Sequence, residues 1–197
     1  MLDVSVISDH SVAEASLDPI RARLLAELRE PASASGLAER FGLPRQKVNY
    51  HLRLLEQHGL VELVEERRKG NCTERVLRAT ATSYVISPDA LGAVAPDPRR
   101  AEDRLSARWM LSLAGQLVRD VGRLLSGAER ADARLATFAL DGNIRFASAA
   151  DRAAFAEELA TVVADLVGRY HDEHSPRGRE HRLVLALHPA VKAAATD

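Results

Sequence analysis

The side chains best suited to chemistry lie between residues 45 and 53. Their positions differ by one, three or four, which places them on one side of a helix; they are Arg45, Gln46, Lys47, Asn49, Tyr50 and Arg53. In the major groove of DNA, arginine can fork onto guanine, and asparagine or glutamine onto adenine. Lys47, Tyr50 and Arg53 are better placed for phosphates, which fix the register of a bound protein. The pattern predicts a helix that reads duplex DNA.

A second cationic group follows about a dozen residues later. Arg67, Arg68 and Lys69 precede Gly70-Asn71, a pair typical of hairpin turns, and residues 60–66 and 72–78 are strand-like. The sequence therefore predicts a basic hairpin, or wing, with residues 67–71 at its tip. Such a tip suits contact with the DNA backbone or the minor groove.

Three predicted helices position these groups, over residues 18–30, 33–41 and 44–58. Asp18 is the expected N-cap of the first helix, and Gly42 is the expected left-handed stop of the second. Ala38 lies four residues before Gly42 and Val48 six residues after it. A small residue, a glycine and a branched apolar residue in that order are typical of a helix-turn-helix.

The segments from Leu37 to Leu43 and from Val48 to Val61 resemble the core of the ArsR-type winged-helix repressors, and the resemblance covers about residues 18–80. It implies a homodimer that binds a two-fold symmetric operator and represses transcription. Pro44 departs from the family, whose members often carry a serine cap there, so one cap bond is expected to be lost.

A second departure concerns the metal motif of the founding members. Residues 33–41 contain no cysteine, and Cys72 stands alone in the wing, where it cannot form a site by itself. The chain is therefore similar to the extended subgroup without the cysteine motif, in which a C-terminal domain pairs or senses something else. No cofactor is expected.

The sequence as a whole predicts an α+β protein. It consists of an N-terminal winged helix-turn-helix plus a C-terminal domain of helices and a small antiparallel sheet. Pro88, Pro96 and Pro98 indicate a linker over residues 87–100, between domains at 1–86 and 101–197. The C-terminal order is helix, strand, strand, helix, strand. Its strands are predicted at 135–140, 144–147 and 183–187, the first two flanking the hairpin pair Asp141-Gly142.

The first C-terminal helix carries apolar residues at four-residue steps, including Leu105, Trp109, Leu113 and Leu117. Core packing or a dimer seam is the favoured interpretation of this stripe. A pocket for an unidentified small-molecule effector, lined also by Phe138 and Phe146, is the alternative, and the two can coexist.

Two further functions remain open. His171 and His174 are three residues apart at a helix end, so the chain could be a metal sensor, although a polar helix end is the favoured interpretation. A winged-helix scaffold can also serve as a protein-interaction module. Activation and repression are not distinguished by the residues.

Composition and the absence of certain motifs restrict the remaining functional classes. The only cysteine lacks an evident base, and no nucleophile elbow or glycine-rich phosphate loop occurs, so no enzyme is expected. Hydrophobic residues at 46% suffice for a core, and the net charge of -1 neither favours nor excludes DNA. Without a signal peptide or an apolar run of about 20 residues, a cytoplasmic protein without membrane contact is expected.

Overall fold

The computed structural model describes residues 1–69, 72–100, 103 and 106–191, apart from the side chains of Lys69 and Cys72. The chain forms two compact units, Met1–Leu135 and Ala136–Asp197. Among the described residues, no helix combines the length and the apolar character needed to cross a membrane.

Among its described residues, the first unit contains five strands and five α-helices. In chain order they are β1 (Leu2–Ile7), α1 (His10–Leu17), α2 (Pro19–Glu27), β2 (Ala32–Ser33), α3 (Ala34–Phe41), α4 (Arg45–Gln57), β3 (Val61–Lys69), β4 (Cys72–Ala79), β5 (Ala81–Ile86) and α5 (Ala107–Arg130). Two 3₁₀ segments, Pro88–Val94 and Pro98–Arg100, lie between β5 and α5. The three helices predicted before the wing are confirmed as α2, α3 and α4.

Helix α2 begins where its sequence predicts. The Asp18 carboxylate accepts hydrogen bonds from the backbone N–H groups of Ile20 at 2.9 Å and Arg21 at 3.0 Å. Pro19 occupies the first turn, where a missing N–H costs nothing. These backbone hydrogen bonds also hold the pKa of the Asp18 carboxyl below its usual value.

Two small sheets complete the first unit. Strands β2, β4 and β3 form an antiparallel sheet in that order, and β3 with β4 is the predicted wing. Strands β1 and β5 pair in parallel, with Leu2 opposite Ala81 and Ile7 opposite Ile86. The sequence analysis did not predict β1, α1 or β5. For the two strands the reason is distance, because the partner of β1 lies some eighty residues away.

The core of the first unit is aliphatic and lies where α2, α3 and α4 meet the wing. Its members share almost complete burial; the largest are Leu24, Leu28, Leu37, Val48, Leu52 and Leu55. This burial fixes one face of α4 inward and leaves the opposite face to solvent.

Residues 87–100 belong to the first unit, whereas the prolines had predicted a linker. Ser87 is fully buried and donates its backbone N–H to the Ile7 carbonyl at 2.8 Å. Ala90 is buried in the core. Pro88 and Pro98 each open a 3₁₀ segment, a position where proline needs no backbone donor. The chain divides after Leu135, so α5 lies with the N-terminal elements.

Helix α5 packs through its glycines. A Cβ on Gly122 would meet Val6 Cγ1 at 2.8 Å, and one on Gly115 would meet Pro88 Cγ at 3.4 Å. Arg119 adds a hydrogen bond to the Pro96 carbonyl at 2.8 Å. The glycine face of α5 therefore lies against the rest of the first unit. The leucine stripe lies on the opposite side of the helix.

The second unit contains α6 (Ala149–Tyr170), capped by Ser148. The predicted antiparallel sheet is not found within the chain: residues 133–147 and 173–191, all described, contain no strand. The predicted hairpin at Asp141-Gly142 is also wrong, since no turn or bend interrupts residues 133–146. The apolar alternation runs in phase from Ala136 through Gly142 to Phe146, so a straight segment keeps those side chains on one face without a turn.

Candidate nucleic-acid interface

The turn between α3 and α4 is set by Gly42. Its φ of 61° is left-handed, a conformation that glycine adopts without steric cost. The next residue, Leu43, donates its N–H to the Ala38 carbonyl at 3.1 Å and closes the end of α3. Pro44 supplies no side-chain cap to α4, as predicted, although its carbonyl accepts the Lys47 N–H at 2.9 Å.

Helix α4 separates its residues into a buried and an exposed side. Val48, His51, Leu52 and Leu55 are buried. All six residues of the predicted reading surface are exposed: Arg45, Gln46, Lys47, Asn49, Tyr50 and Arg53. The helix therefore presents these groups to solvent.

Three of the exposed residues line a cleft beside the wing. Arg45, Asn49 and Arg53 follow one another at four-residue steps along α4, and Thr73 and Arg75 of β4 lie across from them. The cleft has a volume of about 180 Å³. Gln46, Lys47 and Tyr50 are outside its lining. The carboxylates of Glu56 and Glu74 also line the cleft, so its guanidiniums and its amide lie beside two acidic groups. Guanidiniums and amides are the groups that recognise base edges.

The wing is longer than its sequence predicts. Arg67 and Arg68 lie within β3, opposite Glu74 and Thr73, where the prediction had placed them at the tip. The ladder reaches Lys69 opposite Cys72, so the two arginines form the two residue pairs just before its end. Both are exposed. Gly70, Asn71 and the side chain of Lys69 lie outside the described residues.

An ion pair that the sequence did not reveal joins the wing to α4. Arg75 donates two hydrogen bonds to the Glu56 carboxylate, at 3.0 and 2.6 Å. The bond lowers the pKa of Glu56 and raises that of Arg75. Two parallel hydrogen bonds fix the orientation of the guanidinium relative to the carboxylate as well as the distance between them. The two residues are 19 positions apart in different elements, and no local pattern connects them.

The acidic side chains of β3 are paired with arginines. Glu62 binds Arg78 at 2.7 Å, Glu65 contacts Arg67, and Glu66 lies 4.0 Å from Arg75. Arg45, Lys47 and Arg53 on α4 are exposed. The hydrogen bond from Arg75 and, to a smaller extent, the positive charge of Arg53 lower the pKa of Glu56.

His51 lies on the buried side of α4. Its ring meets that of Tyr50 edge-on at 5.4 Å between centroids. Burial lowers its pKa, an effect partly offset by Asp18. A neutral imidazole therefore packs on the inner side of α4.

Comparison with known proteins decides what this arrangement is. A family model described as a helix-turn-helix domain matches residues 17–64. This region is a helix-turn-helix domain. The match covers α2, β2, α3, α4 and the start of β3, and it supports a DNA-binding regulator. No curated protein matches the chain.

The candidate residues for pairing or for an effector are divided between the units. On α5, Trp109 and Leu113 are half-buried and Leu117 is exposed, while Leu105 lies outside the described residues. In the second unit, Phe138 is 90% exposed and Phe146 packs against Phe155 at 5.3 Å between ring centroids. Their role in a pocket stays a prediction.

The histidines of the second unit are not gathered into a metal centre. His171 Nε2 lies 3.5 Å from Glu173 Oε1, and His174 follows in a turn. Within the described part of the chain, no group of three or more His, Cys, Asp or Glu side chains could hold a metal ion. The metal-sensor alternative is therefore not favoured.

Proposed function

We propose that this chain is a winged-helix transcriptional repressor of the ArsR type, which binds a two-fold symmetric operator as a homodimer. The helix-turn-helix match supports the DNA-binding part. The proposed activity is occupancy of the operator without catalysis, and it uses no metal or other cofactor.

The exposed row Arg45, Asn49 and Arg53 carries the proposal. These side chains follow one another at four-residue steps along α4, and all three are exposed and line the cleft beside the wing. In the proposed complex α4 enters the major groove, and Arg45, Gln46 and Asn49 contact base edges. Lys47, Tyr50 and Arg53 contact phosphates, which orient the helix.

The wing contributes a contact that does not depend on base sequence. Arg67 and Arg68, with Lys69 beyond them, extend along β3 toward its tip. In the proposed complex they neutralise backbone phosphates or enter the minor groove. The Glu56–Arg75 pair holds the wing at a fixed angle to α4, so both contacts are made together.

Pairing is proposed to use the outer side of α5. Met110, Leu117 and Leu124 recur every seven residues, and Ala114 and Val121 fall between them at four-residue steps. Apolar residues at these spacings form the seam of two-stranded coiled coils. Leu117 is 44% and Leu124 52% exposed, so the seam is open to a second copy. Any effector that changes this contact would alter the spacing of the two α4 helices.

The proposal is tested by recovering bound DNA genome-wide and measuring affinity for the recovered operator and for a scrambled duplex. Arg45→Ala and Asn49→Ala should each weaken binding to the operator by about 1–3 kcal/mol and weaken binding to the scrambled duplex less. Arg29→Ala removes the same charge from an exposed site outside the cleft and should leave the preference unchanged.

The outcomes separate reading from simple attraction. Equal losses on both duplexes for Arg45→Ala and Asn49→Ala would contradict the assignment of base contacts to the cleft. Replacing Arg67 and Arg68 together should weaken both duplexes alike and reduce the dependence of affinity on salt. A chain that recovers no preferred DNA would contradict the whole proposal.

A further inference from the structure

The second unit lacks a core of its own. None of its described residues, 136–191, is buried. Large apolar side chains are instead open to solvent along its whole length; they include Phe138 at 90%, Leu140 at 89%, Leu183 at 62%, Leu185 at 53%, Val162 at 55% and Tyr170 at 81%. Such a unit cannot offset the conformational entropy of folding by burying its own surface.

Residues 136–146, here named the first arm, show what kind of partner is missing. No turn or bend interrupts them, and a fully extended chain of this length reaches at most about 36 Å. Phe138, Leu140, Ile144 and Phe146 occupy alternate positions, which is the pattern of a strand with one buried face. Yet no described residue pairs with this segment as a neighbouring strand.

Residues 181–191, the second arm, repeat the situation. They also contain no turn or bend, and Leu183, Leu185 and Leu187 alternate along them. Val184 and Ala186 make the opposite face apolar too, which is typical of a strand in a sheet that is covered on both faces. The described chain provides no neighbouring strand for this segment.

We infer that the two arms are strands of an intersubunit β-sheet, completed by the same arms of a second copy of this chain. The inference deepens the proposed function, because it rests on the proposed homodimer and adds to the α5 seam a surface that this proposal did not include. Each second unit is then one half of a domain that folds only in the pair.

Charge favours a second copy as the partner. In a two-fold contact the same surface occurs on both sides, so a charged segment would meet its own charge. Within the arms, residues 136–140 and 183–187 contain no charged side chain, so these parts can lie beside their own copies without repulsion. The charged residues of the arms, Asp141, Arg145 and Arg182, lie outside these parts.

The exposed area is also of the right size. At about 100 Å² for each fully exposed large apolar side chain, those of the second unit offer on the order of 700 Å². A standard interface takes about 800 Å² from each partner. The arms carry about two thirds of this exposed area, and α6 carries the rest through Val162, Leu166, Val167 and Tyr170.

Hydrogen–deuterium exchange on the intact full-length chain tests this without any mutation. At concentrations where sedimentation shows a dimer, amides of 136–146 and 181–191 should exchange at least about tenfold more slowly than in the diluted monomer. A monomer at all concentrations overturns the inference. So does a dimer whose arms exchange as fast as an unstructured segment, since it would pair through α5 alone.

Variants locate the contact. Leu140→Asp and Leu185→Asp should each raise the dimer dissociation constant by about 30-fold or more. The matched control is Val94→Asp, which places the same charge at a residue 79% exposed outside the arms and should leave dimerisation unchanged. Unchanged dimerisation in both arm variants overturns the inference.

Failure here is distinguishable from failure of the proposed function. Binding of the arm variants to a single operator half-site reports on α4 alone, and it should match that of the unmodified chain. Retained half-site preference with unprotected arms would overturn the intersubunit sheet and leave the DNA-binding proposal intact.

Discussion

The two units of this chain use similar residues to opposite effect. In the first unit, Leu24, Leu28 and Leu55 are fully enclosed by helices and a sheet. In the second, Leu140 and Leu183 are exposed although their local patterning is at least as regular. Patterning alone is therefore insufficient for folding: an amphipathic element is stabilised only when a second surface covers it. The first unit contains that surface, and the second must receive it.

The largest difference between the two units is expected in the free energy of unfolding when one leucine of each is truncated. Leu55→Ala should lower the free energy of unfolding by about 2–5 kcal/mol, because it leaves a cavity in the enclosed core. Leu140→Ala should change it by less than about 0.5 kcal/mol when the protein is dilute enough to be monomeric. Urea unfolding of both variants is the measurement, and similar losses would show that the second unit has a core of its own.

A pair of glycine substitutions gives a smaller but more local test. Gly42→Ala should cost about 1–2 kcal/mol, because φ is left-handed there while an added Cβ would meet nothing within 4 Å. Gly142→Ala has the same free space without a positive φ, and should be neutral or stabilise by up to about 1 kcal/mol. Thermal unfolding distinguishes them, and a comparable loss at Gly142 would restore the hairpin at Asp141-Gly142.

The smallest expected effect is a pH dependence confined to the first unit. Burial lowers the pKa of His51, so the unfolded chain binds a proton more readily than the folded one. Stability should therefore decline gently as the pH falls from 7 to 5, through the ordinary histidine value of about 6.5. Unfolding followed by the fluorescence of Trp109 measures it, and His51→Leu should flatten the slope. A slope that survives the substitution would exclude His51 as its source.

Local signals in the sequence were sufficient for the helix-turn-helix domain. Asp18, Pro19 and Gly42 each act within a few residues, so the ends of α2 and α3 follow from their chemistry alone. The exposed face of α4 also followed, since a helical period and three buried residues determine which positions remain outside.

Distant pairing could not be predicted in the same way. Strands β1 and β5 are joined across most of the first unit, and Glu56 finds Arg75 only because α4 and the wing pack together. In the second unit the alternation of residues 136–146 predicted strands that the structure does not contain, because a period of two says nothing about whether a neighbouring strand is present. Prolines likewise mark backbone constraints, and residues 87–100 satisfy them in 3₁₀ segments packed on the core.

The parallel pairing of β1 with β5 has a consequence for the order in which this protein can assemble. Leu2 is made nearly eighty residues before its partner Ala81. At about 5–20 residues per second, β1 waits roughly 4–16 s before β5 exists. Throughout that interval β1, a largely apolar strand, has no strand partner on either edge. The first unit is complete only after β1 has paired with β5.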